Sequence, residues 1–72
     1  MTKAEFNALA PGDILTSEFH GHWVVLETLR GDNTIFICCI FSTGIWDIGY
    51  KLWLEPDTHL GANFQLLCNA NE

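Results

Sequence analysis

The chain is 72 residues long, with 49% hydrophobic residues, 17% charged residues and a net charge of −6. This is one small domain, too apolar for a disordered chain and too acidic for a generic binder of phosphate backbones. At a mean hydropathy of +0.17 there is more apolar surface than so small an interior can hide, so part is expected outside, serving a self-contact or a partner.

In chain order, Thr2-Lys3-Ala4-Glu5 has the form of a capping box, Thr2 as N-cap and Glu5 reaching back to it. Phe6 and Leu9 share one face of a short helix over residues 2–10, which Pro11 ends by forcing its predecessor out of the α region. So short a helix is unstable alone, so Phe6 and Leu9 must pack on a sheet. Ala10-Pro11-Gly12-Asp13 is a turn, and a first strand follows over 13–19, with Leu15 and Phe19 on one side and Ser17 between them. The stretch Leu9 to Leu15 resembles the entry into the first strand of small SH3-like barrels, a likeness of fold that carries no function with it.

A second strand is expected over 22–30, with Trp23, Val25, Glu27 and Leu29 on one face and His22, Val24, Leu26, Thr28 and Arg30 on the other. Gly31-Asp32-Asn33 is a hairpin connection suited to positive φ. It leads into Thr34 to Ser42, read as the central strand. Its seven consecutive apolar residues, Ile35 to Phe41, leave neither face for water, so both faces of the strand need cover. A fourth strand over 45–54 alternates cleanly: Trp46, Ile48, Tyr50, Leu52 and Leu54 face inward, opposite Asp47, Gly49, Lys51 and Trp53. Gly49 marks a bulge or bend. Pro56 opens a loop to Asn63, 64–68 is a last strand, and Asn69 to Glu72 a frayed tail. The whole of 1–72 is then a single mainly β domain, a five-stranded SH3-like barrel or strongly bent antiparallel sheet with one short N-terminal helix.

Chemistry-bearing residues are few. His20-Gly21-His22 contains two imidazoles that could share a metal, but no sequence neighbour supplies a third ligand and the glycine bend separates the rings. Cys38, Cys39 and Cys68 lack the Cys-x-x-Cys spacing of zinc or redox motifs, and neighbours in a strand point to opposite faces. Apolar surroundings leave such thiols inert. Ser17 with His20, and Asp13 with Glu18, hold the atoms of acid–base work in no catalytic pattern, and the six glycines are spread singly with no phosphate loop. No catalytic residue, metal or cofactor is therefore assigned. Three cysteines in buried-looking positions fit a reducing compartment, and no stretch approaches the ~18 apolar residues of a membrane span, so a cytoplasmic location is expected.

The tryptophans say more. Trp53 alternates out of the inward set, and the expected contact patch is Trp53, Trp23, Lys51 and Asp47. The resulting expectation is a small acidic interaction module that binds a protein partner or itself, without catalysis, nucleic acid or membrane. The alternative is a phage- or mobile-element-type inhibitor whose acidic surface blocks a nucleic-acid enzyme. A small metal- or thiol-dependent enzyme is the competing class.

Overall fold

The computed structural model describes residues 3–29, 34–55 and 63–70. It contains one helix, α1 (Lys3–Asn7), and five strands: β1 (Ile14–Ser17), β2 (Gly21–Leu29), β3 (Thr34–Phe41), β4 (Lys51–Leu54) and β5 (Gln65–Cys68). All five belong to one antiparallel sheet in the order β4-β3-β2-β1-β5. Among the described residues β4 and β5 are not paired to each other, so the sheet is not closed into a barrel. The expected mainly β architecture with one short helix is present. The middle of the sheet is β2, however, and not β3, because β1 pairs with both β2 and β5 and so adds two strands beyond β2.

The helix is shorter than the expected 2–10, and its proposed cap, Thr2, lies outside the described residues. Its role is as expected: Phe6 and Leu9 are buried against the sheet. The Ala10–Asp13 turn is closed by the Asp13 amide donating to the Ala10 carbonyl at 3.1 Å, with Gly12 at φ 96° in the third position, where such a turn requires positive φ. The turn docks on β2 through Gly12 N–H to the Val25 carbonyl (2.7 Å) and Val25 N–H to the Asp13 carbonyl (2.8 Å). The second turn, into β2, depends on Gly21 (φ 86°): a Cβ there would run into the backbone carbonyl of Phe41, so no other residue fits. Of the hairpin between β2 and β3, residues 31–33 lie outside the described residues, but the antiparallel pairing they were expected to produce is observed.

One face of the sheet carries the core. Leu15, Trp23, Val25, Ile35, Ile37, Cys39 and Leu54 join Phe6, Leu9 and Phe64 in a single cluster. The register puts the matching pairs Leu15–Trp23, Trp23–Cys39, Val25–Ile37 and Ile35–Leu54 on this side. Phe19 falls outside β1 and is exposed, so it does not accompany Leu15 into the core.

Two expected strands are altered by irregularities. In β2 the register shifts between Val25 and Glu27, so one extra residue, Leu26, is accommodated there. Beyond the bulge the faces exchange: Glu27 pairs with Phe36 on the outer side, and Thr28 pairs with the buried Ile35. The expected strand over 45–54 begins only at Lys51. Asp47 to Tyr50 is instead a β-turn, with the Tyr50 amide donating to the Asp47 carbonyl at 3.0 Å and Gly49 at φ 94°. The alternation through Trp46, Ile48 and Tyr50 therefore does not describe a buried face: Ile48 is 71% exposed and its neighbour Ile45 92%. Only Leu54 of the expected inward set is fully buried, with Trp46 and Leu52 packed at the edge of the core.

Candidate functional site

Of the chemistry-bearing residues, the structure separates His20 from His22 and brings Ser17 to His20. Gly21 divides the two histidines as the bend predicts. His20 stays on the core side, its Nδ1 hydrogen-bonded to Ser17 Oγ at 2.8 Å and its ring stacked on Phe64 at 5.7 Å. His22 lies opposite Phe41, 5.4 Å between ring centres, on the other side of the sheet. The structure thus brings Ser17 and His20 together, but Ser17 is buried and the pair closes the turn between β1 and β2, where His20 N–H also donates to the Ser17 carbonyl at 3.3 Å. Among the described residues no group of three or more His, Cys, Asp or Glu is gathered to hold a metal ion.

The cysteines divide three ways: Cys39 is buried, Cys38 half-buried and Cys68 exposed. Burial pushes the Cys39 thiol above its ordinary value, reinforced by the nearby charges of Cys38 and Asp47 and opposed by a backbone hydrogen bond from Phe41. The expectation that both strand thiols are shielded is corrected for Cys38, because β3 buries only one of its faces. Native alkylation should label Cys68 first, Cys38 more slowly, and Cys39 only after denaturation; labelling of Cys39 at the rate of Cys68 would place it outside the core. A thiol with a raised folded pKa holds its proton longer in the native state. Its stabilising contribution is therefore full below the unfolded value near 9.0 and is lost as pH rises through the folded value.

Asp13, weighed in sequence with Glu18 for acid–base work, is 3% exposed and works inside the fold. Its Oδ2 accepts the Ala10 amide at 2.9 Å and its Oδ1 accepts the Ala70 amide at 2.8 Å. The carboxylate ties the helix exit to the chain end, so the tail expected to fray is anchored at Ala70. Nothing in local sequence marks this, since 57 residues separate the partners.

Of the expected contact patch, Trp23 is the clear correction. It is 0% exposed, donates its indole N–H to the His20 carbonyl at 2.9 Å, and meets Trp46 and Phe64 edge-on. Asp47 is exposed, but in the turn before β4 and off the strand face. Trp53 and Lys51 do lie on the outer face of β4, where they pair with Phe36 and Cys38 of β3. Trp53 is 49% exposed, with its ring 4.6 Å from that of Phe36.

Around this pair the outer face is unusually apolar. Cys38, Val24 and Ile14 form a half-buried row across β3, β2 and β1. The register irregularities add Leu26 beside Glu27 and Ile40 beside Phe41, all four exposed. An antiparallel sheet with one solvated face ordinarily carries polar residues there. Alternation places Trp53 outward and Val24 and Leu26 on the face opposite Trp23, but it puts Glu27 on the side of Trp23, because the bulge that turns Glu27 outward comes from long-range pairing. Comparison with family models, curated proteins and solved structures finds no match for this chain.

Proposed function

We propose that the protein is a small interaction module that acts by contact through the outer face of its sheet, binding a protein surface or itself without catalysis or a cofactor. The observation that carries this reading is the half-exposed Trp53–Phe36 pair, continued by the apolar row Cys38, Val24 and Ile14. Contiguous apolar surface of this kind marks interfaces, and tryptophan is a preferred anchor. The sheet order, in which β1 joins β2 and β5, supports the finer reading of an SH3-like small barrel. Free thiols fit a cytoplasmic setting, and no described helix is long and apolar enough to cross a membrane.

A groove-blocking inhibitor calls for acids gathered in one stripe. The exposed acids described here fall on the helix (Glu5), the turn after β1 (Glu18), the outer face (Glu27), the turn before β4 (Asp47) and the end of β4 (Glu55), which favours the apolar face as the contact. Trp53→Ala is expected to cost on the order of 1 kcal/mol of stability, as a half-exposed position. Its effect on association should be about 2 kcal/mol or more, as for an interface anchor. Thermal melts measure the first, and sedimentation with quantitative capture by tagged wild-type and variant chains the second. A variant that unfolds like a core truncation, or one that associates as well as wild type, defeats the reading.

A further inference from the structure

We propose that the outer face takes a second copy of this chain, the two sheets packing face to face about a twofold axis. This rests on the reading of that face as the contact surface and names its occupant. The first ground is hydrophobic. The run Ile35 to Phe41 needs cover on both sides, yet only the core side of β3 is covered: Phe36 and Cys38 remain half-exposed and Phe41 exposed. Stacking a second sheet about 10 Å away is the ordinary way to cover such a face.

The second ground is charge. The chain has a net charge of −6 with histidine neutral, yet the described strands place one carboxylate, Glu27, and one ammonium, Lys51, on this face, beside the His22 imidazole. Among the described residues of this face, an acidic partner would meet Lys51 and the His22 imidazole, and a basic one only Glu27. A face with one of each sign can complement itself. Lys51 lies on β4 opposite Cys38, and Glu27 on β2 opposite Phe36. A twofold axis that lies between the two sheets and runs obliquely to the strands, over β3 between Phe36 and Cys38, sets Lys51 over the second copy's Glu27, and Glu27 over its Lys51. The same axis brings Trp53 to the second copy's Phe36. The self-complementary patch is what a twofold interface requires.

The third ground is area. The molecule measures 29 × 28 × 17 Å. Its largest outline is comparable in extent to the ~800 Å² per partner of a standard interface, so a second copy is large enough to cover the apolar row.

The test is sedimentation equilibrium of the full chain over low to high micromolar concentration, with melts to show that each variant is folded. Wild type should be a dimer. Trp53→Ala should raise its dissociation constant at least about thirtyfold, and more if the loss is counted on each side of the interface. Val24→Lys, which sets a charge in the apolar row, should leave only monomer. Lys51→Glu and Glu27→Lys should each weaken the dimer about fivefold, and the double exchange should restore it. That rescue is something a merely structural role would not produce. A wild-type chain that stays monomeric overturns the second-copy proposal alone and leaves the outer face to another protein. A dimer indifferent to both Trp53→Ala and Val24→Lys uses a different surface, and overturns the outer-face reading as well. A dimer that is lost with Trp53→Ala, but whose single charge reversals are not restored by the double exchange, overturns the stated axis.

Discussion

Trp23→Ala is expected to leave the domain largely unfolded. The indole is 0% exposed, pairs with Leu15 on β1 and Cys39 on β3, and packs edge-on against Trp46 at 5.7 Å and Phe64 at 6.0 Å. Truncating a buried aromatic to alanine costs about 3–5 kcal/mol in lost transfer energy and residual cavity. The loss also strands the His20 carbonyl, which accepts the indole N–H at 2.9 Å. A domain of this size holds only on the order of 4–10 kcal/mol of net stability, so the substitution removes a large share of it. Trp23→Phe keeps much of the ring and forfeits the hydrogen bond, and should fall between. Trp46→Ala should cost less than Trp23→Ala, because Trp46 is only half-buried and covers Trp23 from outside. Chemical denaturation followed by circular dichroism ranks the three. Should Trp46→Ala prove the more damaging, the core is centred on the turn before β4 and this packing is wrong.

That ranking reverses what alternation along the sequence predicts, and the reason is physical. Trp46, Ile48 and Tyr50 recur at period two, which is the pattern of a half-buried strand. A period of two is blind to whether the backbone is extended, and Gly49 at φ 94° turns the chain there. Where apolar spacing and a local stop signal agree, the sequence was legible: Phe6 and Leu9 before Pro11, the Pro11–Gly12 turn, the start of β3, and the outward Trp53. The long apolar run predicts cover on both faces, but the sheet buries only the core side and leaves Phe36 and Cys38 half-buried and Ile40 and Phe41 exposed. What local pattern cannot contain is the register. The shift between Val25 and Glu27 puts Glu27 outside and Thr28 opposite Ile35, and it is fixed by how β2 meets β3. The candidate site is affected at Glu27, which alternation sets beside Trp23 and the pairing sets on the outer face.

Asp13→Ala is expected to cost about 2–4 kcal/mol, second only to the loss of Trp23, because it removes both acceptors of a bridge between distant segments. Oδ2 holds the Ala10 amide at the helix exit and Oδ1 holds the Ala70 amide beyond β5. Alanine leaves both donors without their partner, and unsatisfied donors in a partly buried site forfeit the hydrogen bond without recovering full hydration. The main-chain bonds of Asp13, from its amide to the Ala10 carbonyl and from Val25 to its own carbonyl, need no side chain, so the turn itself should survive. The loss should therefore be local before it is global. Hydrogen exchange at the Ala70 amide should accelerate to the rate of a free chain end, while that of Val25 slows or quickens only with global stability. Asp13→Asn retains one carbonyl acceptor but turns an NH₂ toward the second amide donor, so it should hold one of the two contacts and fall midway. If Asp13→Ala instead melts within about 0.5 kcal/mol of wild type, as surface substitutions do, the carboxylate is solvated and the chain end is not anchored by it.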